Sequence, residues 1–104
     1  MSEIQELQDL IRKFADARNW HEFHTPKNLA MAVTGEAGEL ASEFQWLTAG
    51  ESMNLSKKQL DAVSMEMADI AIYLLRMADV LGVELRKVIE EKISINENRF
   101  PVQK

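Results

Sequence analysis

Four acidic residues stand where acids are unfavourable. Glu36 and Glu39 lie three apart within Gly35 to Glu39, GEAGE, inside an apolar run from Leu29 to Leu47. Glu66 and Asp69 lie three apart in a second run, nearly continuous in apolar residues, from Ser56 to Leu81. On a helix of about 3.6 residues per turn, Leu29, Val33, Glu36, Leu40, Phe44 and Leu47 share one stripe, so a carboxylate takes a core-facing slot. Glu39 follows one turn on. A buried ionised carboxylate needs a cation, a set of donors or an open cleft. If the two runs face each other, the carboxylates share one small volume, and like charges so confined call for countercharge. A divalent metal is the simplest source. Oxygen ligands without His or Cys select Mg²⁺, with Mn²⁺ possible, over zinc or copper; Ca²⁺ favours a carbonyl-bearing loop, and no EF-hand pattern is present. Mg²⁺ held by a few carboxylates keeps open positions for phosphates and water, which points to metal-dependent hydrolysis of a phosphoester or phosphoanhydride. A structural or partner-binding bundle is the other reading. Spacing alone does not decide, because Glu3 and Glu6 repeat it in a first helical turn, where the helix dipole explains them.

Size and charge narrow the setting. A chain of 104 residues with 46% hydrophobic and 28% charged residues reads as one soluble domain spanning residues 1–104. Its net charge of −5 disfavours nucleic-acid polymers and anionic membranes, which ask for a basic face. Without cysteine there are no disulfides or thiolate metal sites. The acidic N-terminus lacks the apolar core of a secretory signal, so a cytoplasmic protein is expected. The stretch from Ile70 to Leu81, interrupted by Arg76 and Asp79, is too short to span a bilayer.

Helices must position these acids. Ser2 and Gln5 resemble a capping box, after which Ile4, Leu7, Ile11 and Phe14 recur at helical spacing to about Arg18. Residues 19–25 break the period and gather Trp20, His21, Phe23 and His24, which either plug the end of a bundle or face a ligand. Thr25 as N-cap and Pro26 as first residue start a second helix, expected to reach Leu47 or Thr48 and to end at Ala49-Gly50. Trp46, near its end, reads by type and place as core. Residues 48–55 read as a polar, flexible connection. Ser56 and Gln59 open a third helix that runs to Val80 or Leu81 before Gly82. This helix is apolar on every side and must be covered on every side, which predicts self-association through it. Leu85, Val88, Ile89 and Ile93 mark a fourth helix before Pro101, carrying Lys92 and Asn96 one turn apart. Lys92 either complements the helix dipole or reaches the acidic cleft. The expected fold is all-α, a four-helix bundle.

Three segments in order, FADARNWHEFHTPKNLAMAVTGEAGELASEFQW, EMADIAIYLLRMAD and KISINENRFP, resemble the MazG-like nucleotide pyrophosphohydrolases of the all-α NTP pyrophosphatase superfamily, in particular the dCTP pyrophosphatase branch. The resemblance extends from about Phe14 to Pro101. It implies that Glu36, Glu39, Glu66 and Asp69 bind Mg²⁺ and that one of them, with Glu36 and Glu39 as candidates, orients or deprotonates the attacking water. It further implies that Trp20, His24, Trp46 and Tyr73 enclose the base, and that Lys92 and Asn96 meet phosphates or sugar across a subunit boundary. The implied reaction splits a nucleoside triphosphate such as dCTP into monophosphate and pyrophosphate, in a dimer or a dimer of dimers. A non-catalytic interaction module, or the same fold acting on another phosphoanhydride such as dUTP, stays open.

Overall fold

The computed structural model describes residues 2–103, and its elements are set by short-range caps. Helix α1, Glu3–Ala17, opens with the Ser2–Gln5 capping box: the Ser2 hydroxyl accepts from the Gln5 N–H at 3.2 Å, and the Gln5 side chain accepts from the Ser2 N–H at 3.0 Å. Thr25 caps α2, Pro26–Phe44, by accepting from the Asn28 N–H at 3.2 Å. The end of this helix differs from the expected one. α2 stops at Phe44, and a one-turn helix, α3, occupies Ala49–Ser52 where a flexible connection was expected. Thr48 and Glu51 form a further capping box, with bonds of 2.9 and 3.1 Å, so Ala49-Gly50 begins a helix and does not end one. The Ser56–Gln59 box starts α4, Lys57–Leu81, and Gly82 at φ 70° closes it. There the Val83 N–H donates to the Ala78 carbonyl at 2.8 Å, a left-handed turn that redirects the chain into α5, Leu85–Arg99.

α2 and α4 form the principal helix pair, and α1 packs along α4. The second contact is polar as well as apolar. Gln8 Nε2 donates to the Leu75 carbonyl at 3.0 Å, and one turn further Arg12 clamps Asp79 through Nε and Nη2 at 2.9 and 2.7 Å. The Arg12 guanidinium holds the Asp79 carboxyl below its usual range. Because the folded value is depressed, this stabilisation is present above about pH 4, the unfolded value, and is lost as pH falls through the folded one. Asp79→Asn is therefore expected to lower unfolding free energy by roughly 2 kcal/mol in urea denaturation at neutral pH, since it also strips a partner from buried Arg76. A change within about 0.5 kcal/mol would show the clamp to be surface decoration.

Little of the apolar surface is covered within the chain. Ala15, Leu29, Val63 and Ala78 are the buried hydrophobic residues among those described. The apolar positions of α4 do go round the helix, and Met65, Met67 and Leu74 remain exposed. α5 leaves the other helices with Val88, Ile89 and Ile93 uncovered. The radius of gyration is 16.7 Å, against about 13 Å for a compact chain of this length. No helix among the described residues is long and apolar enough to cross a membrane.

Candidate functional site

The stripe on α2 and the facing stripe on α4 bring three of the four acids together. Glu36, Glu39 and Glu66 each offer a carboxylate oxygen within 4.8 Å of the others. Glu36 and Glu66 are half-buried, and each keeps one oxygen, Oε2, buried with no hydrogen-bond partner. Asp69 lies outside this triad, yet near enough for its charge to act on Glu36. Loss of water raises the Glu66 carboxyl to about 7, helped by hydrogen bonding to Glu36 and by the charge of Glu39. Desolvation raises Glu36 as well, although a proton donated by Glu66 works the other way. A cluster built only of acceptors holds protons when it has no cation. It is therefore a fitting set of ligands for a hard divalent ion.

Beside the acids lies an aromatic cavity of about 260 Å³, lined by Phe14, Trp20, His24, Asp69, Tyr73 and Arg76. Asp69 thus borders both features. The turn after α1 sets the aromatic wall: Asn19 at φ 56° takes the left-handed conformation that asparagine tolerates, and the Trp20 N–H donates back to Ala15 at 3.0 Å. This reversal lays the Trp20 ring edge-on to Phe14 at 5.6 Å and to His24 at 6.0 Å, before a single 3-10 turn over His21–Phe23. Of the ring-bearing residues in this loop, Trp20 and His24 line the cavity, whereas Phe23 is exposed. His24 Nδ1 accepts from Arg76 Nε at 3.1 Å. Burial first, then the neighbouring positive charges, push the imidazole below its usual value and keep it neutral.

The remaining sequence candidates divide. Tyr73 lines the cavity one turn beyond Asp69. Trp46 does not: at 86% exposure it is neither core, as its type and position suggest, nor part of the cavity. α2 ends two residues before it, which frees the side chain from the helix face. Lys92 is exposed and Asn96 half-buried on α5, and neither belongs to the acid triad or the cavity lining. By its type Arg76 is only a charge interrupting an apolar run, yet its spacing carries a signal. Glu66, Asp69, Tyr73 and Arg76 follow at intervals of three, four and three, one continuous face of α4.

Comparisons with known proteins bear on the fold and the family. The MazG-like family model matches residues 32–104. Human dCTP pyrophosphatase 1 is 38% identical over 100 residues, which cover 94% of this chain and 59% of the relative. The protein of the same name from Rattus norvegicus is 36% identical over 101 residues, 95% of this chain and 59% of the relative. The chain thus spans less than two thirds of the length of these mammalian proteins. The solved structure of a pyrophosphatase from Archaeoglobus fulgidus superposes with a TM-score of 0.91 at 35% identity, covering 98% of this chain and 95% of that one.

Proposed function

Since the chain belongs to the MazG-like family, we propose that it is a Mg²⁺-dependent pyrophosphohydrolase that splits a pyrimidine deoxynucleoside triphosphate, dCTP or a modified form of it, into monophosphate and pyrophosphate. One observation carries this reading: an acid-only triad with two buried, partnerless oxygens adjoins an aromatic cavity through Asp69. The names of the human and rat relatives support the substrate class. Glu36, Glu39, Glu66 and Asp69 would hold Mg²⁺, which would supply the positive charge that a triphosphate needs in an otherwise acidic cleft. Trp20 and Tyr73 give the base stacking faces, and His24, neutral and tied to Arg76, keeps one N–H for donation. Glu39, the exposed member of the triad, takes a proton from the attacking water, while Glu36 orients it. Cleavage between the α and β phosphorus atoms releases pyrophosphate. A role in cleansing the nucleotide pool implies the cytoplasm.

The working form is a homo-oligomer, a dimer or a dimer of dimers. Uncovered apolar faces on α4 and α5 support this, as does the small buried core. So do Gly35 and Gly38: a Cβ at either would meet nothing in its own protomer, although mid-helix glycine is disfavoured by about 1 kcal/mol. Close approach of another helix accounts for both. In such an assembly Lys92 and Asn96 reach a neighbour's phosphates or sugar, and Trp46 closes a neighbour's base site.

Pyrophosphate release from individual dNTPs and NTPs, with Mg²⁺ or chelator, tests the reading directly. Release that needs the metal and ranks dCTP highest is expected, from particles sedimenting at twice or four times the protomer mass. No release from any nucleotide would favour a helical interaction module, and a dUTP preference would name a different substrate.

A further inference from the structure

Arg76 combines burial with an unmet donor. It is only 3% exposed, on the α4 face that carries Glu66, Asp69 and Tyr73. Its Nε–H meets His24, its Nη1 stands 3.5 Å from Asp79 Oδ2, and its Nη2 is buried without a partner. Asp79 is itself clamped by Arg12, so it cannot also turn to serve that last nitrogen. In a guanidinium, Nη2 shares an edge with Nε, and one of its N–H bonds runs parallel to the Nε–H. The Nε–H points to His24, which lines the aromatic cavity together with Arg76. A buried donor left unmade favours any ligand that supplies the acceptor.

Resting on the nucleotide reading above, we propose that Arg76 reads the base, donating from Nη2 to its acceptor edge. An arginine has donors and no acceptors, and His24, whose Nδ1 already accepts from Arg76, has only an N–H left to offer. This wall of the cavity therefore offers donors alone. Among pyrimidines, cytosine presents two adjacent acceptors, O2 and unprotonated N3. Uracil and thymine carry N3–H at the second position, which would meet another donor. Stacking on Trp20 and Tyr73 tolerates any base, so this donor edge decides between bases of equal size. Asp79 and Arg12 act as positioning residues that hold the guanidinium plane.

The experiment compares kcat/KM for dCTP and dUTP in wild type, Arg76→Met and Arg76→Lys. Wild type should favour dCTP, and Arg76→Met should lower the dCTP value by about 100-fold with a much smaller effect on dUTP, collapsing the preference. Arg76→Lys, which keeps charge and donors, should retain part of it. Equal proportional losses on both substrates would reduce Arg76 to a structural role and overturn the inference. Should Arg76→Met not fold, calorimetry on wild type serves: dCMP should bind at least about tenfold more tightly than dUMP, and equal affinities would overturn the inference. Wild type that hydrolyses neither triphosphate would instead remove the activity on which it rests.

Discussion

Glu39→Gln is expected to reduce Mg²⁺-dependent pyrophosphate release from dCTP by roughly a thousandfold, because several kcal/mol of transition-state charge stabilisation pass through the acid triad. Glu66→Gln should do the same for a different reason. Its carboxyl is half-buried and shares the cluster's proton, so the amide removes a ligand that Glu39 cannot replace from its exposed position. Neither substitution should unfold the protein. A neutral amide relieves repulsion among Glu36, Glu39, Glu66 and Asp69, so the metal-free variants should melt at the same temperature as wild type or above it, with the assembly mass unchanged. Steady-state pyrophosphate assays beside thermal melts and sedimentation separate these effects. Activity above about a tenth of wild type in both variants would place the chemistry elsewhere.

Stability of the metal-free protein should fall as pH rises from about 4.5 to about 7. Burial lifts Glu66 to about 7 and lifts Glu36 in the same direction, with Glu39 and Asp69 adding negative charge nearby. The folded value of Glu66 lies above the ordinary value of 4.5, so its favourable contribution is complete below that pH and is lost as pH climbs through about 7. Asp79 acts in the opposite sense, but only in the acid range, so it does not mask the effect. Mg²⁺ requires the deprotonated ligands, and its effect should therefore grow over the same window. At about pH 8, Mg²⁺ at a hundred times its dissociation constant should raise the melting temperature by something on the order of 10 °C. At about pH 5.5 most of that shift should vanish. Melts in buffers across this range, with Mg²⁺ or chelator, give the comparison. A metal shift independent of pH would mean that the ion binds away from Glu66.

Much of the helical frame is legible in short-range chemistry. Ser2 with Gln5, Ser56 with Gln59, and Thr25 with Pro26 each place a helix start through a bond between residues three apart, and Gly82 closes α4 because the left-handed turn suits it. Thr48 with Glu51 carries the same signal. The Ala49-Gly50 pair competes with it as a helix-end signal, which puts the expected end of α2 too late. The acid pairs were readable too: a charge at a core-facing helical position must be compensated, whatever lies opposite.

Pairing of faces was not readable in that way. Which face of α2 meets which face of α4 depends on side-chain packing over the whole contact, and that packing draws Glu36, Glu39 and Glu66 into one cluster while leaving Asp69 at the border of the cavity. The fate of single side chains depends on it as well. Trp46 is solvent-exposed beyond a helix that ends early, and Arg76 is buried because His24 and Asp79, 52 residues before and three after it, converge on its guanidinium. The amino-acid order thus decided where helices start and which positions would be unfavourable for charge, since both follow from neighbours within one turn. Only the tertiary structure decided which charges meet one another and which donor is left free for a ligand, because those depend on residues far apart in the chain.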